Sequence, residues 1–337
     1  MRHVSTMLRT TLALLLGGVL AVPATAAAAA AAPPHRRQPI DLGTLGGDFT
    51  LSEARAVNDR GQVVGASITA GLGLEHAFLW ERGSMRDLGT LGGLTSDATD
   101  VNNRGQVVGA SATTNGEIHA FLWAGGRMRD LGTLGGALSV ARAINDHGRV
   151  VGTSTTADGE SHAFVWAGGR MRDLGLAAGA TANDLNDRGQ VTGGVPVPEA
   201  FHAYRLHRGP VDLDGREVAF GEGVAINERG QVAGNSAGPA AFSHAVLWSR
   251  GQRVDLGTLG GEFSSASGIN DRGAVVGQAT TGDGGRGFVW RDGVMTGLGV
   301  LADGGMNGSR ANDINDRGWI VGGSDAAGGD FHAVLWR

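Results

Sequence analysis

Cysteine is absent from the 337 residues and so is lysine, all 28 basic side chains being arginine. Without a thiol the chain forms no disulfide, no thiolate metal site and no cysteine nucleophile, and without lysine it has no Schiff-base amine. Aromatic residues make up 5% of the chain, with a single tyrosine, so the core must be built largely from small and aliphatic side chains. The missing lysine, beside heavy use of Ala, Gly and Arg, reads as codon usage and carries no functional weight. A formal net charge of -5 with both signs scattered excludes the basic surface that nucleic-acid binding needs.

Long apolar runs are also lacking, with one exception: residues 10–22, preceded by Arg2 and Arg9 and followed by Ala24-Thr25-Ala26. This is the layout of a secretory signal with a small-residue cleavage site, and it is shorter than the about 20 residues of a comfortable membrane span. Residues 1–26 are expected to be removed on export, an uncleaved anchor being the alternative. No arginine pair precedes the run, which favours the general export route. Residues 27–38, an alanine run closed by Pro33-Pro34-His35-Arg36-Arg37, read as a flexible leader. The mature domain, residues 39–337, is expected to be secreted, monomeric and free of stable membrane insertion.

What the chain has in abundance is glycine, 60 residues, and a repeat. A turn-opening Asn recurs at Asn58, Asn102, Asn145, Asn186, Asn227, Asn270 and Asn315, mostly followed by Asp-Arg-Gly and a run such as Gln62-Val63-Val64-Gly65. A His-Ala-Phe-Leu-Trp segment or close variant then begins at His76, His119, His162, His244 and His332, and Asp-Leu-Gly begins at Asp41, Asp87, Asp130, Asp173 and Asp255. Each copy reads as four short strands. The first is made of small residues and ends at the Asn; Asn58-Asp59-Arg60-Gly61 then forms a type I turn into the second strand. Four strands in about 43 residues is the size of a propeller blade, and no segment outside the signal keeps a helical period. The last copy stops after its third strand at Trp336-Arg337, while an orphan fourth strand, Ile40-Asp41-Leu42-Gly43, precedes the first. The fold expected is an all-β, seven-bladed propeller closed by pairing of the N-terminal strand with the last blade.

The recurring His-Ala-Phe, together with the turn and the Asp-Leu-Gly in fixed order, resembles the HAF family of probable extracellular repeats in bacteria. The resemblance runs over residues 40–337. It implies export and a repeated β fold, and no catalytic mechanism. Copies four and six depart from the pattern. His202-Ala203-Tyr204 is followed by Leu206 where Trp is usual, and Arg286-Gly287-Phe288 lacks the His, which leaves those copies either looser or turned toward a ligand.

Six histidines at equivalent repeat positions (76, 119, 162, 202, 244 and 332) invite a metal. Symmetry-related side chains are spread around a ring, however, whereas zinc ligands must converge within about 2.3 Å of one point. A structural role, each imidazole bonded to backbone or Asp, is expected, with no metal and no cofactor. Gly234-Asn235-Ser236-Ala237-Gly238 matches a nucleophile elbow but lacks its helix. Thr-Leu-Gly-Gly lacks the lysine and helix of a phosphate loop.

The positions where copies disagree are more telling. Five residues before each turn Asn stand Glu53, Asp97, Val140, Thr181, Glu222, Ser265 and Arg310, and three residues before it stand Arg55 and Arg142. If the first strands line a channel, Glu53, Arg55, Asp97, Arg142, Glu222 and Arg310 ring its mouth on the face that carries the long, variable loops. Two functions follow. One is a binding module, not an enzyme, for a cell-surface glycan, peptide or protein. The alternative is a glycan hydrolase or lyase using two of Glu53, Asp97 and Glu222 as acid and base.

Overall fold

In the computed structural model the described residues are 37–46, 51–71, 73–215, 218–238, 242–282, 284–302 and 308–337. The expected signal and nearly all of the leader lie outside them. Among the described residues there are 28 β-strands and one short 3-10 turn, Ala327–Gly329. No helix among them is long and apolar enough to cross a membrane.

The first copy sets the pattern. Its strands Ser52–Val57, Val63–Ile68, Glu75–Glu81 and Ser84–Asp87 pair in sequence order, all antiparallel. None of the five sheets closes on itself. Copies two and three share one sheet through a single parallel bridge, Leu138 to Ile118, and copies four and five share another through Phe201 and Phe220. The last copy, Ser309–Ile314, Ile320–Asp325 and Phe331–Trp336, takes its fourth strand from the other end of the chain. Pro39–Asp41 pairs antiparallel with Trp336, Leu335 and Val334.

The turn asparagine does two jobs. Asn58 Oδ1 accepts the N–H groups of Arg60 and Gln62, both at 3.0 Å, which shapes the turn, and Gly61 supplies the positive φ (80°) that closes it. Asn58 Nδ2 donates across to the carbonyl of Asn102. Each turn Asn does likewise to the next, and the series returns to its start when Asn315 donates to Asn58, every bond lying between 2.9 and 3.1 Å. The residue after each Asn makes a second circuit. Its N–H donates to the side-chain oxygen of the corresponding residue in the next copy, from Asp59 to Asn103 and onward until Asp316 reaches Asp59, at 2.6–3.0 Å.

The cores sit between copies. Val64, Leu79 and Leu88 of the first pack with Val101, Phe121 and Trp123 of the second, and Val321 and Leu335 of the last pack with Phe78 and Trp80 of the first. Side chains of this size contribute roughly 1.5–3 kcal/mol each when buried. On the outer strands, Nδ1 of His76, His119, His162, His202, His244 and His332 meets an Asp carboxylate at 2.7–2.9 Å. In each case it is the Asp of the fourth strand, and Asp41 serves the last copy. The histidines are thus latches between third and fourth strands. The divergent copies are not loose at this position. Tyr204 is buried and donates to Thr181 O at 2.6 Å, and Arg286 reaches Leu298 O.

Three aspartates staple neighbouring first strands. Asp100 accepts N–H from Val101 and Ile144, both at 2.7 Å; Asp184 from Leu185 and Ile226; Asp313 from Ile314 and Val57. Removal from bulk water pushes Asp100 up to about 7 and Asp313 up to about 6, and it holds Asp184 well above the ordinary carboxylate range, the backbone donors only partly compensating. The remaining copies carry Ala56, Ala143, Ala225 and Gly268 at this position, so no two staples are adjacent.

Two outcomes are expected. Asn102→Ala removes the two hydrogen bonds that Oδ1 accepts and the two that Nδ2 donates in a buried joint and should lower unfolding stability by about 2–3 kcal/mol in urea titration; an unchanged midpoint would refute the joint. Because the three aspartates bind protons more tightly folded than unfolded, stability should rise as pH falls from 8 toward 5, through their folded values and down to the ordinary value near 4. The thermal midpoint measured across that window should climb, and Asp100→Asn should flatten the climb.

Candidate functional site

The second-strand glycine of the Val-Val-Gly run positions the site. A Cβ on Gly65 would lie 1.9 Å from the carbonyl oxygen of Glu53, and Gly109, Gly152, Gly193, Gly234, Gly277 and Gly322 stand in the same relation to Asp97, Val140, Thr181, Glu222, Ser265 and Arg310, at 1.9–2.1 Å. Only glycine admits so close an approach. Beside this contact the first strand bulges. Ala54 pairs with Gly65 and Ala56 with Val64, so Arg55 is skipped, and the same shift passes over Thr99, Arg142, Val224, Ser267 and Asn312. A bulge leaves its extra residue outside the ladder and re-aims its side chain.

The re-aimed residues converge. A cavity of about 510 Å³ is lined by the residue three before the turn Asn in every copy, Arg55, Thr99, Arg142, Asn183, Val224, Ser267 and Asn312, joined by Asp97 and Glu222. Of the six residues singled out from sequence, Arg55, Asp97, Arg142 and Glu222 therefore meet in one pocket. Glu53 sits just behind it. Arg310 lies against the ring of Phe331 at 4.8 Å and is not part of the lining. The neutral polar members Thr99, Asn183, Ser267 and Asn312 do not stand out by charge; the fixed spacing between the Val-Val-Gly glycine and the bulge is the signal for them.

The lining follows a rule. In three copies the side chain three before the turn Asn reaches the carboxylate five before the turn Asn in the next copy: Arg55 to Asp97 at 3.3 Å, Asn183 to Glu222 at 2.8 Å and Asn312 to Glu53 at 2.9 Å. Thr99 instead donates to Ala141 O at 3.0 Å. Glu53 also bonds Arg310 and lies 3.4 Å from Arg55, so one guanidinium bridges Glu53 and Asp97. Burial pushes the Asp97 carboxyl up, Arg55 pulls it back and Glu53 pushes it up further, with a raised value as the result. Burial and the nearby Asp97 also raise Glu75.

A second cavity, about 390 Å³, lies at the turn ends of the first strands and is lined by the turn asparagines with Asp59, Asp146, Asp187, Glu228, Asp271 and Asp316. Each of these carboxylates already accepts a backbone N–H in the second circuit described above. Among the described residues no group of three or more His, Cys, Asp or Glu side chains is arranged to hold a metal ion.

No family model and no curated protein matches the chain. Among solved structures it is similar to the β-propeller domain of the Trilobed protease from Pyrococcus furiosus, noted for an open velcro topology. The TM-score is 0.65 at 9% identity, over 86% of this chain and 94% of that one. It is also similar to the acylaminoacyl peptidase of Pyrococcus horikoshii (TM-score 0.56, 12% identity, 85% of this chain and 51% of that one). A third likeness is to a puromycin-hydrolysing peptidase of Mycobacterium tuberculosis (TM-score 0.55, 16% identity, 82% of this chain and 49% of that one). The chain spans about half the length of these two peptidases. At such identities the likeness establishes the fold, which is all-β and propeller-like. It also corrects one expectation. The sequence alone points to a protein that is not an enzyme, but the same fold occurs in peptidases, so a repeat without a catalytic motif does not set the chain outside the enzymes.

Replacing Arg55 with Met removes the cation shared by Glu53 and Asp97. The Asp97 carboxyl should then titrate at higher pH than in the parent protein, as followed by carboxyl-carbon NMR, and an unmoved Asp97 would refute the bridge.

Proposed function

We propose that the chain is a secreted seven-bladed propeller, closed by its N-terminal strand, that binds a glycan in the bulge-lined pocket. The closure is supported by the pairing of Pro39–Asp41 with Phe331–Trp336 and by the asparagine circuit that runs through every copy. Export is supported by the layout of residues 1–26.

The observation that carries the binding reading is the lining itself. Guanidinium, carboxylate, amide and hydroxyl groups from all copies face one cavity, with Val224 the single apolar member. Peptide and protein ligands are gripped mainly by aromatic and apolar anchors in dry pockets, and this cavity has no aromatic lining residue and, in Val224, a single apolar one. A polyhydroxylated ligand needs donors and acceptors fanned around it, which is what the bulged residues supply. A hydrolytic reading of the same pocket is favoured by one observation: Asp97, with its raised pKa, and Glu53 grip one guanidinium. That holds them close enough to satisfy the upper limit of about 9.5 Å for a carboxyl pair acting on a glycosidic bond.

A glycan array followed by calorimetry on the purified protein tests the binding reading. Binding of an oligosaccharide that is weakened by Asn312→Ala and Asn183→Ala is expected. Failure to bind any glycan would overturn it. Incubation of each bound glycan with the protein and with Asp97→Asn separates binding from turnover.

A further inference from the structure

Of the two arginines that stand three residues before a turn Asn and line the pocket, Arg142 is the one without a carboxylate partner. Arg55, Asn183 and Asn312 each find a carboxylate five before the turn Asn of the next copy. In the copy after Arg142 that position is Thr181, whose hydroxyl is committed elsewhere: it donates to Glu222 and accepts the Gly194 N–H. Arg142 is exposed on the pocket wall and makes no ion pair within 4 Å and no hydrogen bond among the described residues. From the adjacent copy it acts on Asp97 as the weakest of the influences on that carboxyl. The other pocket charges are engaged: Arg55 with Glu53 and Asp97, Glu222 with Thr181 and Asn183.

From this we infer that the ligand itself supplies the missing carboxylate: the pocket takes an acidic glycan, a uronate, with its carboxylate on Arg142. The inference rests on the glycan reading above and narrows it. Arginine is suited to the task, because its planar fork binds a carboxylate through two parallel N–H donors and stays charged at any physiological pH. The absence of any aromatic ring from the lining means that a sugar is held there by charge and hydrogen bonds and not by stacking on its apolar face. That favours an acidic over a neutral one.

The test compares an oligogalacturonate with its carboxyl-reduced, neutral counterpart, each titrated into the purified protein. The acidic form should bind about ten- to a hundredfold more tightly, and its affinity should fall as salt is raised. Arg142→Gln should erase the difference while thermal unfolding stays as in the parent. Thr181→Glu, which gives Arg142 an internal partner of the kind that Asp97 is to Arg55, should erase it as well. If both sugars bind alike and Arg142→Gln changes neither, the carboxylate inference fails while the glycan site stands. If neither sugar nor any other glycan binds, the glycan reading fails and takes the inference with it. Binding of a peptide through its free C-terminal carboxylate, with uronates excluded, would also overturn it.

Discussion

One side chain holds the copies together. The turn asparagine spends its oxygen on its own turn and its nitrogen on the carbonyl of the next turn, so local geometry and assembly are set by the same amide. No other uncharged side chain offers an acceptor and a donor at this reach; aspartate would lose the donor, and serine is too short to serve both sides. Because the amide is buried, each bond left unmade would cost about as much as a typical point mutation takes from a whole domain. This asparagine, the turn glycine and the glycine that backs onto the preceding strand are the same in all seven copies.

That glycine explains how a structural repeat comes to carry a site. In six of the seven copies its close approach to a carbonyl stands beside a bulge that turns one residue out of the ladder. The backbone fixes where these side chains point; the sequence is free to choose what they are. Three of the choices pair with carboxylates, one pairs with a carbonyl and one arginine is left over. A scaffold of identical parts thereby acquires an asymmetric, chemically graded pocket without any specialised loop.

Much of the architecture is legible in the residues. The asparagine spacing marks the copies, the small residues of the first strand mark the crowded inner positions, and the orphan strand at Ile40 marks its partner near Trp336. The histidines read as structural, and each one meets an aspartate; the identity of that partner does not show in the sequence, because it lies on the following strand. The site is half legible. Charged residues at two offsets from the asparagine stand out, but the offsets differ in kind: the nearer is bulged and faces the pocket, the farther supplies the carboxylates that hold it. An alternation rule assumes an unbroken strand, so it cannot tell Arg142, which faces the cavity, from Arg310, which folds back onto Phe331. The three buried aspartate staples are invisible for a related reason, since their partners are backbone groups of another copy.

The sheet that unites Pro39–Asp41 with Phe331–Trp336 has a bearing on how the molecule is made. Open arrays of repeats can nucleate anywhere and grow from a fragment. Here Pro39–Asp41 has no partner until Phe331–Trp336 has been synthesised, and the His332 to Asp41 contact at 2.8 Å forms only then. The interval before that moment leaves two unpaired strand edges exposed, a state prone to sticking to other chains. Rapid completion of the chain, or a companion that shields those edges, is thus built into the demands of this topology.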